Sequence, residues 1–167
     1  AILISYIIMQ KYKVYINNKC KIITDNWESF CKKYTLIEAA GGLVYNSDKQ
    51  ILMIFRNGKW DLPKGKKEGK ETIDQCALRE VEEECGVNNL TIINQHKATY
   101  HVYQINDKNI LKKTYWFKMF TNSNKKLTPQ ISEGIIKAEW VSKNNIMQKM
   151  KNSYANIKDL FLDDELL

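Results

Sequence analysis

Zinc-type cysteine spacing is missing from this chain. Its four cysteines, Cys20, Cys31, Cys76 and Cys85, include no CxxC pair, and neither His96 nor His101 completes a metal-ligand pattern with them. A zinc-supported fold and a CxxC redox enzyme are thereby excluded, and free, buried thiols in a reducing cytoplasm are expected. Cys76 and Cys85 fall on one predicted helix, roughly 13 Å apart along its axis and on opposite faces, so they cannot bridge. The two histidines have no nucleophile partner either, and no catalytic role is assigned to them. Long apolar runs are also missing. Residues Ala1 to Ile8 are almost wholly apolar but too few to span a membrane, and no basic segment precedes them as a signal peptide requires. No membrane partner is expected. Met9 follows directly, and the reading is that it starts the biological chain; the alternative is an added edge strand. Repeats, low-complexity segments and linker-like runs are absent, so the 167 residues fit one domain with a substantial core.

What is present is ordinary for a folded chain: 44% apolar and 27% charged residues. The net charge of +7 favours anionic partners, either nucleic acid or a small polyphosphate, and says nothing about fold. Lys11 to Asn17 and Lys19 to Thr24 read as two short strands around an Asn17-Asn18 turn. Asp25 is placed to cap a short helix through Trp27, Phe30 and Cys31. These first 35 residues form an N-terminal extension, and 36–167 the main domain. Leu36 to Tyr45 and Gln50 to Phe55 are strands joined at Asn46-Ser47-Asp48, with close backbone approach expected at Gly41-Gly42. Arg56 to Lys64 reads as a loop. Leu90 to Ile105 and Asn109 to Phe120 read as two longer strands, aromatic at Tyr100, Tyr103, Tyr115, Trp116 and Phe117. Ile135 to Val141 is a last strand, and Lys143 to Leu162 holds one or two helices. Strands around a central helix, with terminal helices, give an α/β (α+β) sandwich.

The central helix has the clearest local signature. Thr72 with Gln75 three residues on is a capping-box start, and Gly86 is a left-handed stop. Ile73, Ala77 and Val81 recur every four residues and form a stripe facing a core. Glu80, Glu83 and Glu84 stand at i, i+3 and i+4, so three carboxylates share another face and repel. Something positive should therefore sit among them. The solvated-face reading of such a helix is weakened by what precedes it. Between Arg56 and Lys70 the cations are Arg56, Lys59, Lys64, Lys66, Lys67 and Lys70, against only Asp61 and Glu68. Hard oxygen ligands beside a Lys-rich, Gly-punctuated loop suit Mg²⁺ or Mn²⁺ and the phosphates such ions accompany.

Gly65, Glu71, Arg79, Glu80, Val81, Glu83, Glu84, Gly86 and Val87 stand at the spacing of the Nudix box, and the stretch resembles that family without a gap. The resemblance implies the Nudix fold, a mixed β-sheet sandwiched between helices, and hydrolysis of a phosphoanhydride. It implies Glu83 and Glu84 as principal metal ligands, Glu80 as ligand or water-activating base, and the Lys64 carbonyl as a further contact. Glu71 would serve the box structurally or reach the metal through water. Arg79, at i, i+4 to Glu83, would orient a carboxylate. A second candidate base is Glu133, in the Ile131-Ser-Glu-Gly134 loop before the last strand. Arg56, Trp60, Lys64 and Lys66 are candidate substrate-binding residues, Trp60 as a stacking platform. Lys64 replaces the second glycine of many members, a form similar to the diadenosine-polyphosphate and diphosphoinositol branches.

Three activities are compatible with these residues. The first is a Mg²⁺-dependent pyrophosphohydrolase of a nucleoside diphosphate linked to another group: a nucleoside triphosphate, a dinucleoside polyphosphate or an ADP-sugar. The second is a nucleotide sensor without turnover, which would have no chemical need for Glu80, Glu83 and Glu84 together. The third is an RNA-directed decapping role prompted by the basic charge, for which no RNA-binding module is visible. A homodimer is compatible with the resemblance.

Overall fold

The computed structural model describes residues 10–162, so the apolar segment 1–8 and Met9 lie outside the described residues. Three two-residue turns, at Asn17-Asn18, Asn57-Gly58 and Asn106-Asp107, set its antiparallel frame. Asn17 and Asn18 (φ 49 and 64) join β1 (Tyr12–Ile16) to β2 (Lys19–Ile23) in the left-handed conformations of a type I′ hairpin. The short helix α1 (Trp27–Cys31) follows. Its N-cap is Asn26, left-handed and without a side-chain cap bond, which corrects the expected Asp25 cap.

β3 (Thr35–Tyr45) and β4 (Ile51–Arg56) pair only at Tyr45↔Ile51 and then diverge. Asn57-Gly58 turns β4 back into β5 (Lys59–Asp61), and β6 (Lys64–Lys66) follows. Two short strands thus replace the expected Arg56–Lys64 loop, because β4 and β3 each need a new partner once they part. β5 pairs with β4, while β6 pairs with β3 through Gly41↔Lys64 and Ala39↔Lys66. The backbones approach closely there, as expected: a Cβ on Gly41 would lie 2.3 Å from the Pro63 carbonyl oxygen.

The central helix is α2 (Ile73–Cys85). The expected strand Leu90–Ile105 is broken at 96–98 into β7 (Thr91–Gln95) and β8 (Thr99–Ile105), both antiparallel to β9 (Lys108–Phe120). Within the break the His96 amide donates to the Trp116 carbonyl at 2.8 Å, so the ladder is re-joined after the interruption. A 3₁₀ turn (Ile131–Glu133), β10 (Ile135–Val141), α3 (Lys143–Met150) and α4 (Ala155–Leu162) complete the described chain.

The ten strands form one mixed sheet, ordered β10-β4-β3-β9-β8-β1-β2 along its main path. β3 and β9 pair in parallel from Thr35↔Ile110 to Tyr45↔Phe120. Helices cover both faces. On one, Ala77 and Val81 of α2 pack on Val44, Leu52 and Met119; on the other, Leu160 and Phe161 of α4 pack on Leu43, Met53 and Trp116. A third cluster of Val14, Ile23 and Phe30 is closed by Trp27, which stacks on Tyr12 at 3.9 Å and meets Tyr100 edge-on. It seats the leading hairpin beside β8. No helix among the described residues is long and apolar enough to cross a membrane. The four thiols are free; Cys76 and Cys85 are buried in the same cluster, whereas Cys20 is exposed and Cys31 half-buried, contrary to expectation.

Candidate active site

Both ends of α2 are fixed as its residues dictate. The Thr72 amide donates to Gln75 Oε1 at 2.9 Å within a complete capping box, and Gly86 (φ 68) closes the C-terminus. Ala77 and Val81 anchor the helix below. This leaves Glu80, Glu83 and Glu84 along the flank beside β6. Glu80 and Glu84 are buried, Glu84 to 3% exposure, whereas Glu83 is exposed. Gly65 is what allows this approach, since a Cβ there would lie 2.1 Å from the Glu80 carboxyl.

Arg79 is the positive group that the repelling carboxylates require. Its guanidinium grips Glu71 through both carboxylate oxygens (Nε 2.9 Å, Nη2 2.7 Å) and donates to Glu80 (2.7 Å), Glu83 (3.1 Å) and the Lys66 carbonyl (3.1 Å). These bonds hold the Glu71 carboxyl down at about 2. Glu71 thereby bridges the loop, through the Glu68 amide at 2.7 Å, and the helix, through Arg79. Burial pushes Glu80 upward despite Arg79, and pushes Glu84 up to about 7, partly offset by the charge of Lys64 and by its amide, which donates to Glu84 at 3.0 Å.

Glu80, Glu83, Glu84, Arg56, Lys64 and Lys66 line one cleft of about 380 Å³. Glu133 lines it too. Its turn is delivered there because the chain ahead of it zips onto the end of α2, with Gln130 N–H donating to the Glu84 carbonyl at 3.0 Å. Trp60 is not in the cleft. It is 9% exposed within the second core, with the Lys149 ammonium 3.8 Å from its ring centre, which corrects its assignment as a stacking platform. The Lys64 ammonium is committed as well, paired at 2.5 Å with Asp61, itself 5% exposed.

Lys112 escaped the sequence reading. It projects from β9 into the cleft, and burial lowers its pKa to about 8, with the charges of Lys64, Lys66 and Arg56 adding to the shift and Asp61 opposing it. A lone lysine in a strand carries no spacing signal, and only the pairing of β9 with β3 and β8 brings it here.

Among the described residues no three His, Cys, Asp or Glu side chains are placed to hold a metal ion by themselves. The donor set still fits a hard cation in an open site. Such an ion takes one or two carboxylates and completes its shell with waters and phosphate oxygens. Two buried carboxylates that burial disfavours, facing the same opening as an exposed third, match that need.

The model of the NUDIX domain family matches residues 35–161. The chain belongs to the Nudix family. It is accordingly a hydrolase of phosphoanhydrides, and solved structures share its fold. The Caenorhabditis elegans Ap4A hydrolase in a binary complex aligns with a TM-score of 0.60 at 20% identity, covering 75% of this chain and 93% of that one. The MutT protein of Methanosarcina mazei Go1 gives 0.55 at 24%, covering 78% and 93%. A bifunctional NMN adenylyltransferase/ADP ribose pyrophosphatase from Francisella tularensis, complexed with AMP and a Mn ion, gives 0.57 at 22%, covering 78% of this chain and 42% of that one. The Nudix match begins at residue 35 and leaves the hairpin β1–β2 and helix α1 ahead of it.

Proposed function

We propose that this Nudix domain is a Mg²⁺- or Mn²⁺-dependent pyrophosphohydrolase cleaving a nucleoside diphosphate linked to another group. One observation carries the reading. The cleft is divided by charge, with Glu80, Glu83, Glu84 and Glu133 on the α2 and 3₁₀-turn side and Arg56, Lys66 and Lys112 on the β4, β6 and β9 side. A diphosphate with its cation neutralises both sides at once, which a neutral ligand cannot do.

Glu80, Glu83 and Glu84 would hold the ion, together with the Lys64 carbonyl. Bound there, it would withdraw charge from the phosphoryl oxygens and lower the pKa of a coordinated water. The chain's own groups do the rest. Arg79 fixes the directions of Glu80 and Glu83, while Arg56, Lys66 and Lys112 bind non-bridging oxygens and orient the scissile bond. Water adds to phosphorus, a cleft carboxylate takes its proton, and the bond to the bridging oxygen breaks as that oxygen leaves with its electron pair. Glu80 and Glu133, both lining the cleft, are the two candidates for this proton. Comparing Glu80→Gln with Glu133→Gln separates them: loss of the base lowers turnover by about 10²–10⁴, far more than it lowers Mg²⁺ affinity. If neither substitution lowers turnover beyond its effect on Mg²⁺ affinity, both assignments are wrong.

A further inference from the structure

A second cavity, of about 340 Å³, opens beside the carboxylate cleft and shares Arg56 and Lys64 with it. Its remaining wall comes largely from outside the Nudix box. Tyr15 and Asn18 of the leading hairpin face Tyr154 and Asn156 at the start of α4, with His101 of β8 between the two chambers. Sheet register makes the floor continuous. Tyr15 is paired with His101 across β1–β8, and His101 with Lys112 across β8–β9, so one row of side chains runs from the hairpin to the cleft.

We propose that the hairpin β1–β2 completes a nucleoside-binding chamber, in which a base and ribose sit against Tyr15, Asn18, Tyr154 and Asn156 while the attached phosphates run past Arg56 into the cleft. The inference rests on the pyrophosphohydrolase reading and deepens it by assigning the nucleoside's place. Charge and shape both favour this occupant. The cations gather where the chambers meet, and the one carboxylate at that junction, Asp61, is already bound to Lys64. Beyond them Lys59 lies 5.6 Å from the Tyr154 ring centre, and the rest of the wall is amide and phenol, groups that match the donors and acceptors of a base edge or ribose; flat ring surface comes from the half-buried Tyr154, since Tyr15 is only 4% exposed. Burial and the neighbouring lysines hold His101 below its ordinary pKa, leaving an imidazole with one donor and one acceptor at neutral pH. A free phosphate can accept from these groups but has no flat face to lay on the Tyr154 ring.

The wall is also held in place before any ligand arrives. Asn18 Oδ1 accepts from the Ala155 amide at 2.7 Å, capping the first turn of α4, and the Tyr15 hydroxyl donates to Asp159. Lys13 reaches the same Asp159 at 3.8 Å. A hairpin tied at three points to α4 presents its side chains in a fixed arrangement, which lowers the ordering cost of binding.

The test is calorimetric titration of the full chain with Mg²⁺ present. The probes are the α,β-methylene diphosphates of adenosine, guanosine, cytidine and uridine, compared with inorganic methylenediphosphonate. At least one nucleoside probe should bind more tightly than methylenediphosphonate by about tenfold or more. Asn18→Gly, which suits the left-handed backbone at φ 64, and Asn156→Ala should each remove roughly three- to tenfold of that gain. Both should leave methylenediphosphonate affinity unchanged, which also reports that the cleft is intact. Binding of methylenediphosphonate with no gain from any nucleoside overturns the chamber while sparing the pyrophosphohydrolase reading, as does a gain that both variants retain. Failure of every probe to bind the wild-type chain overturns the two together.

Discussion

At the scale of single residues, Arg79 ties the acidic face of α2 to the loop before it, and the consequences are measurable. Glu71, held at about 2 by Arg79, contributes stability that is fully present above its ordinary pKa near 4.5. That contribution is lost as pH falls from there through 2. Glu71→Gln should therefore lower stability at pH 7 by about 1–3 kcal/mol, and the gap to wild type in urea unfolding should close across that acid window. A gap independent of pH would contradict the brace. Gly65→Ala places a methyl 2.1 Å from the Glu80 carboxyl, so that side chain must move. Turnover should fall by about a hundredfold, with a Tm close to wild type because no core contact is lost. Lys112 tests the opposite balance. It is buried near other cations, so Lys112→Met should raise Tm while raising KM for a diphosphate substrate. A lower Tm with unchanged KM would remove it from the binding wall.

At the scale of elements, α2 was fully legible because its signals are local. Cap, apolar stripe, carboxylate face and glycine stop all fall between Thr72 and Gly86. Thr72→Ala should cost about 1 kcal/mol through loss of the capping box, read as a shift in the denaturation midpoint at constant m. The two-residue turn at Asn17-Asn18 was legible for the same reason. β5 and β6 were not: three-residue strands of Lys, Trp, Asp and Gly carry no alternation, and they exist because β3 and β4 part after one pair. The interruption of Leu90–Ile105 was equally hidden, since no Gly or Pro marks a break at His96-Lys97-Ala98. Trp60 looked like a stacking platform because it sits in a basic stretch, yet pairing with β4 at Phe55 turns it into the second core. Exposure of a side chain is settled by the far side of the fold, which a short window of sequence does not contain.

At the scale of the whole molecule, the sheet divides where β3 and β4 separate, and the box loop, α2 and the 3₁₀ turn close around that opening. The carboxylates of the site were readable from spacing, and Arg56, Lys66 and Glu133 joined them as expected. Lys112 and the hairpin wall were not readable, because they arrive through parallel pairings between segments far apart in the chain. The positive net charge finds its purpose locally, where cations from three strands meet the acidic helix across one cleft. Hydrolysis of a phosphoanhydride by this divided cleft, with a divalent ion held by its glutamates, is open to direct measurement. The most direct measurement is product release from nucleoside triphosphates, dinucleoside polyphosphates and ADP-ribose, with and without Mg²⁺, by wild type and Glu83→Gln. Mg²⁺-dependent cleavage of at least one of them is expected, falling by about 10² or more in the variant. Cleavage that survives both chelation and Glu83→Gln, or tight nucleotide binding without any cleavage, would contradict it.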